Sequence, residues 1–463
     1  MTEELEATVA ALATGAVTAR QLLARCVARL EAENPRLNAV VTTDLPGAEA
    51  AADAADARRR AGAALGPLDG VPFTVKDNLF VGGMRATWGS RLFADHVAPA
   101  DDLCVARLRA AGAVMLGKTN TPEFALAAHT SNEIFGATRN PWDATRVPGG
   151  SSGGAAAAVA TGIAPLALGT DAGGSIRLPA AHCGVTGFRP SVGLIPRLHG
   201  FPPLALDFQA IGVMTHRVRG VRMAMEVLAG PDARDRASLA FGGLRAATPG
   251  PLAIRLSLGA PGATVDPEVA GLVHDAARVL AGLGHRVAEG PMPHDGASLV
   301  SIRSVLSSAG VARVVAAHPG WEGLVTPAIR AAAEKGLGIP AAQYVAALDA
   351  LADWRAATAA AMQGVDILAT PVCPVPAWPI EAPTAGGAPG MPAGPPDAVA
   401  FTAFANAMGW PAISVPCGLT KTGLPVGLQL VAPYGEDHQL LALAEAYQSA
   451  TAWHALRPPP PRE

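Results

Sequence analysis

Two serines and one lysine carry the chemistry that this chain offers. Gly149-Gly150-Ser151-Ser152-Gly153-Gly154 and Gly169-Thr170-Asp171-Ala172-Gly173-Gly174-Ser175-Ile176-Arg177 each set a serine hydroxyl among glycines, with an uncharged, Ala-rich stretch between them. Glycine is costly to order, and its use is to let a backbone take left-handed turns or come very close to a ligand. Neither a helix nor a strand calls for Gly173-Gly174-Ser175 in a row. An oxyanion hole does, because successive N–H groups must converge beside a nucleophile. Upstream, Val71-Pro72-Phe73-Thr74-Val75-Lys76-Asp77-Asn78 ends an apolar, strand-like run on a lysine. The competing reading of Gly149 to Gly154 is a flexible Gly/Ser linker. Core-like sequence on both sides and the second Gly-rich turn at Ser175 argue against it.

Together the three segments resemble the amidase signature family of Ser–cis-Ser–Lys hydrolases. The resemblance is strong from about Gly66 to about Pro190. It returns at Pro411-Ala412-Ile413-Ser414 and Leu424-Pro425-Val426-Gly427-Leu428-Gln429. It implies Ser175 as nucleophile, Ser151 as bridging serine after a cis bond from Gly150, and Lys76 as general base. The amides of Ala172, Gly173, Gly174 and Ser175 match the family's oxyanion hole, and Asp171 and Arg177 match residues that scaffold the loop. Ala125, Leu126 and Ala127 fall where the family has a channel-lining segment. Their small side chains suit either a substrate channel or a helix-packing face.

Such a set can work without histidine. A lysine of pKa about 10.4 is protonated at neutral pH and is a poor base, but burial penalises the ammonium and lowers that value. Val71, Phe73 and Val75 supply apolar surroundings if they fold around Lys76. Asp77 would oppose the shift if it faced the amine, so it is expected to point elsewhere. Neutral Lys76 can then take a proton from Ser151, which takes one from Ser175 as the latter attacks a carbonyl.

Two other patterns compete. Gly112-Ala113-Val114-Met115-Leu116-Gly117-Lys118-Thr119 fits the phosphate-binding loop formally, but its middle residues read as a strand, not as a loop opening a helix. Gly149-x-Ser151-x-Gly153 fits the nucleophile elbow of an α/β-hydrolase-like esterase. That needs a buried strand before Ser151, where Trp142 to Pro148 is polar, and a base from His438 or His454. His129 reads as structural. A catalytically silent binding subunit is a further class, opposed by the presence of all three catalytic side chains.

The elements that must position these residues alternate between helix and short apolar strand. That pattern predicts an α/β fold, a large mixed twisted sheet covered by helices on both faces. Two helices open the chain, the second capped at Thr18-Ala19-Arg20-Gln21 and ended by Pro35. Strands are expected at Val71–Val75, Ala113–Leu116, Ile163–Leu168 and Pro251–Leu256, and helices over 100–111 and 154–161. Residues 1–463 read as one amidase domain with its signature core at about 66–190. The section at about 220–365 reads as a divergent helical cover expected to carry substrate selectivity through apolar contacts. Pro383 to Pro396 reads as a surface loop.

Half of the 463 residues are hydrophobic, 16% are charged, and the net charge is −3, which bounds a globular protein without a basic surface for nucleic acid. Five scattered cysteines without Cys-x-x-Cys fit a reducing compartment, and the acidic N-terminus lacks a secretory pattern. A cytoplasmic monomer or homodimer is expected, with no membrane anchor, no cofactor and no metal. Its expected substrate is a small-molecule amide, ester or carbamate. The family includes the glutaminase subunit of glutamyl-tRNA amidotransferase. Tyr344-Val345-Ala346-Ala347-Leu348 replaces the Tyr-rich helix of that subunit, which argues against a glutamine or tRNA-complex role.

Overall fold

The computed structural model describes residues 4–247, 250–380 and 397–459. Its strands are β1 Val40–Thr43, β2 Pro72–Lys76, β3 Val114–Thr119, β4 Ser131–Asn132, β5 Gly136–Ala137, β6 Leu166–Asp171, β7 Thr186–Arg189, β8 Ala210–Thr215, β9 Ala253–Leu256, β10 Arg286–Glu289, β11 Ile367–Pro371, β12 Ala412–Leu419 and β13 Pro425–Val431. Eleven of them form one sheet in the order β1-β3-β2-β6-β8-β7-β12-β13-β11-β9-β10, and β4 pairs with β5 separately. The sheet is mixed: β2 runs parallel to β3 and β6, whereas β6 to β13 alternate in antiparallel pairs through β8, β7 and β12. Helices flank it.

The sequence of β2 explains its place. Every residue from Pro72 to Lys76 is buried, as a parallel strand covered on both faces requires. Its register sets Phe73 opposite Leu166 and Val75 opposite Leu168 on β6. Lys76 and the end of β6 therefore share one carboxyl edge of the sheet, the edge at which α/β sheets bind ligands. The helix Gly153–Ala160 has the sequence GGAAAAVA and is wholly buried. It packs on β2 and β6, and only side chains this small let it approach so closely.

Several boundaries differ from expectation. Pro35 does not end its helix, which runs Ala19–Leu37 and stops at Asn38 in a left-handed conformation; Thr18 and Gln21 do form the reciprocal cap. The strand expected at Ala113–Leu116 runs on through Lys118 and Thr119, and that at Ile163–Leu168 lies at Leu166–Asp171. The middle section is more than a cover, because β9 and β10 extend the sheet at its edge. Strand β10 has exposed Arg286 and Glu289, so it shows no apolar run to read. The loop expected at Pro383 to Pro396 lies outside the described residues.

Five helices of the middle section are Val218–Leu228, Pro267–Gly282, Gly296–Val315, Pro327–Leu337 and Ala341–Ala361. Helix Gly296–Val315 packs on the last two. It is the one helix among the described residues long and apolar enough to cross a bilayer, yet half of its apolar window is buried inside the protein.

Candidate active site

Lys76, Ser151 and Ser175 meet at the carboxyl edge of β2 and β6. Lys76 is fully buried, and its Nζ lies 2.7 Å from Ser151 Oγ. Thr170 of β6 holds the amine from the other side, with Oγ1 at 3.3 Å, and Asn78 donates to the same Oγ1 at 3.0 Å. Burial lowers the Lys76 pKa to about 7, against a smaller upward pull from Asp171. Asp77 points away from the amine and pairs with Lys118 Nζ at 3.3 Å.

Ser151 follows a cis peptide bond from Gly150 and precedes the helix Gly153–Ala160. A side chain on Gly150 would strike the carbonyls of His129 and Ala127, so the 125–132 segment packs directly on the residue preceding Ser151. The Ser152 amide donates to the Ser175 carbonyl at 3.1 Å, which joins the two Gly-rich turns. Ser175 is half-buried, whereas Ser151 and Lys76 are buried. Ser175 is thus reachable from solvent while Ser151 and Lys76 are not.

The Ser175 turn is held by Asp171. Its carboxylate accepts from the amides of Gly174 at 2.7 Å and Ile176 at 3.0 Å and pairs with Arg177 at 2.9 Å. Burial alone would raise the Asp171 pKa, but Arg177, Arg189 and Asn406 hold it well below the usual carboxylate range. Of the amides expected in the oxyanion hole, the Gly174 N–H donates to Asp171. The amides of Ala172, Gly173 and Ser175 have no such partner among the described residues and remain as donors. Gly174 has φ +126°, and a side chain there would collide with Thr402.

Sequence reasoning missed the outer ring of this scaffold. Arg177 donates to Gln429 on β13 at 2.7 Å and to Asn406 at 2.6 Å. Thr402 donates to the Gly173 carbonyl at 2.6 Å, and Gln429 donates to Thr370 at 2.8 Å. Gln429 in the middle of an apolar strand was the available signal, since a buried amide there needs partners.

A cavity of about 220 Å³ opens over Ser175. Its wall includes Ala172, Gly173, Ser151 and the segment Phe124 to Ala128, so Ala125, Leu126 and Ala127 line it. Trp88 and Phe124, with ring centroids 4.8 Å apart, form an aromatic side. Helix Gly296–Val315 contributes Arg303 and Ser307. That departs from the apolar lining expected of the middle section.

The competing motifs do not meet their structural requirements. Residues 146–150 form no strand before Ser151, and no histidine is among the described residues lining the cavity. His438 faces Glu436 at 3.5 Å. His129 is buried and its pKa is lowered to about 4. Lys118 is inside β3, paired with Asp77 and donating to the Arg85 carbonyl, so its Gly-Lys-Thr cradles no phosphate. None of the five cysteines forms a disulfide. Among the described residues no group of three His, Cys, Asp or Glu is placed to hold a metal ion.

Residues 21–441 match the Amidase family model, and the chain belongs to that family. It is 37% identical over 481 residues to a glutamyl-tRNA(Gln) amidotransferase subunit of Chloroflexus aggregans, covering 97% of this chain and 96% of that protein. The corresponding subunit of Moorella thermoacetica is 38% identical over 475 residues, with 96% and 95% covered. Among solved structures, 6-aminohexanoate cyclic dimer hydrolase superposes with a TM-score of 0.86 at 30% identity over 98% of both chains. A bacterial aryl acylamidase of the amidase signature family gives 0.88 at 27%, over 98% of this chain and 97% of that one. Because the match to the amidotransferase subunits spans nearly the whole chain, the departure at Tyr344 to Leu348 does not set this chain apart from them.

Proposed function

We propose that this chain hydrolyses the amide C–N bond of a small molecule through an acyl-enzyme on Ser175. The observation that carries the reading is the buried Lys76–Ser151 contact of 2.7 Å beside the accessible Ser175 turn. Ser175 Oγ attacks the carbonyl carbon, passing its proton to Ser151, whose own proton goes to neutral Lys76. The carbonyl oxygen becomes an oxyanion facing the amides of Ala172, Gly173 and Ser175. Collapse breaks the C–N bond while Lys76 returns its proton through Ser151 to the leaving nitrogen. Water then attacks the ester on Ser175 by the same route, releasing the acid. Esters and carbamates enter the same sequence, since their leaving groups depart more readily than an amine. No metal or organic cofactor takes part, and reduced cysteines fit a cytoplasmic setting.

Labelling with a fluorophosphonate tests the reading: wild type is modified at Ser175 and loses amide hydrolysis, and Ser175→Ala is not labelled. An unlabelled wild type favours a catalytically silent protein.

The whole-chain similarity to amidotransferase subunits supports a second reading, release of ammonia from glutamine within a larger assembly. It predicts that glutamine is cleaved in preference to simple primary amides. Against it, no carboxylate is among the described cavity-lining residues to receive the ammonium of an amino acid.

A further inference from the structure

Arg303 is the one charged side chain among the described residues that line the cavity. It stands on helix Gly296–Val315, one turn before Ser307, so the two face the cavity together. A Cβ built on Gly173 would lie 3.4 Å from Arg303 Nη2. The guanidinium therefore stands directly against the turn that carries Ser175.

What Arg303 lacks is a counter-charge. Arg177, on the other side of that turn, pairs with Asp171 and bonds Gln429 and Asn406. Arg303, by contrast, makes no hydrogen bond or ion pair with any described residue, and it is half-buried with its nitrogens still open to the cavity. A partly desolvated guanidinium without a partner gains from a bound anion. Burial pushes its pKa below the ordinary value, but a guanidinium keeps its proton in proteins. Its planar fork of N–H donors fits a carboxylate, with two parallel bonds. Trp88 and Phe124 form the apolar side of the cavity, and the Trp88 indole N–H has no partner among the described residues.

We propose that the cavity takes short amides bearing a carboxylate on the acyl portion and no ammonium group, with Arg303 reading the carboxylate. This rests on Ser175 being the nucleophile. The closeness of Arg303 to Gly173 demands that the carboxylate sit a short chain away from the scissile carbonyl. The absence of an acid among the described lining residues separates such a substrate from an amino acid amide.

The test compares kcat/KM for succinamate, butyramide and glutamine in wild type, Arg303→Met and Arg303→Lys, with thermal melts to confirm folding. Wild type favours succinamate over butyramide by about tenfold or more, the size of a charge-assisted hydrogen bond. It favours succinamate over glutamine as well. Arg303→Met lowers the succinamate-to-butyramide ratio by at least about tenfold, and Arg303→Lys keeps part of it. Calorimetry of succinate on Ser175→Ala, with and without Arg303→Met, reads the same contact without turnover. A wild-type ratio near one, an unchanged ratio in Arg303→Met, or glutamine as the better substrate overturns the proposal, and amide hydrolysis itself then still stands. Succinate bound through Arg303 in a protein that cleaves no amide leaves the anion site in place and removes the catalytic reading instead.

Discussion

Asp77 turns its carboxylate to Lys118, 3.3 Å away, and leaves its chain neighbour Lys76 to face Ser151 alone. Two buried lysines on adjacent strands thus have different surroundings. Burial lowers the pKa of both, but Lys118 has Asp77 in contact to oppose the shift, while the charge acting on Lys76 is Asp171, already engaged by Arg177. The Lys76 amine comes down to about 7 and can give up its proton near neutrality.

Activity should therefore rise with pH through an apparent pKa near 7 and stay high on the alkaline side. Lys76→Ala should remove that limb with most amide hydrolysis, and Lys76→Arg should not restore it, because a guanidinium does not deprotonate at accessible pH. Steady-state rates from pH 5 to about 10 check this. An active Lys76→Arg enzyme with the wild-type profile would exclude Lys76 as the base.

The same shift appears in stability, with a definite sign. The folded pKa of Lys76 lies below its unfolded value of 10.5. Between about pH 7 and 10.5 the unfolded chain binds the extra proton, so the Lys76 contribution to stability rises with pH. Below pH 7 it is at its most unfavourable. Lys76→Met should be more stable than wild type at neutral and acidic pH, with a difference that shrinks by up to about 1.4 kcal/mol per unit towards alkaline pH. Denaturant midpoints of the two proteins across that range give the slope directly.

Ser175→Ala should lower turnover by about 10³-fold or more while leaving the melting temperature close to wild type, because its half-buried hydroxyl donates to no described group. Ser151→Ala should lose amide hydrolysis to a similar degree. His438→Ala and His454→Ala should leave activity largely unchanged. Loss of activity with either histidine would favour an esterase-type base.

Removing the guanidinium in Arg177→Met should destabilise the fold by about 3–5 kcal/mol, because the buried Asp171 carboxylate is left uncompensated. Arg177→Lys should recover only part, since an ammonium cannot bond Asp171, Gln429 and Asn406 at once. Chemical denaturation of the three proteins at pH 7 measures this, and equal midpoints would show that Asp171 does not depend on its partner.

The central part of this architecture was readable in the chain because its constraints are local. The fully buried strand ending at Lys76 and the two Gly-Ser turns each announce themselves within a few residues, and so does the cap at Thr18. Features that depend on distant partners were not readable. Nothing near Gly174 indicates that its amide is taken by Asp171, or that Thr402 crowds it from over two hundred residues away. Pro35 looked like a helix terminator, but the helix continues past it to Leu37 and stops at the left-handed Asn38. Strand β10 carries charges on an exposed edge, so it lacks the apolar signature of a buried strand. Arg303 was hidden for the opposite reason: in a Ser- and Val-rich helix an arginine reads as a solvent-facing residue, and only the tertiary arrangement turns it towards the cavity.

The bond between Arg177 and Gln429 spans 252 residues of sequence, and it has a consequence for the timing of biosynthesis. The turn that presents Ser175 leaves the ribosome well before its outer tether on β13, which is translated 252 residues later. A growing polypeptide that already contains Lys76, Ser151 and Ser175 cannot yet clamp Arg177 from both sides. Chains released before about residue 425 should accordingly be inert however well their first half folds. The proposed site would thus be assembled only once β13 has been made, long after its three reacting side chains have been added to the chain.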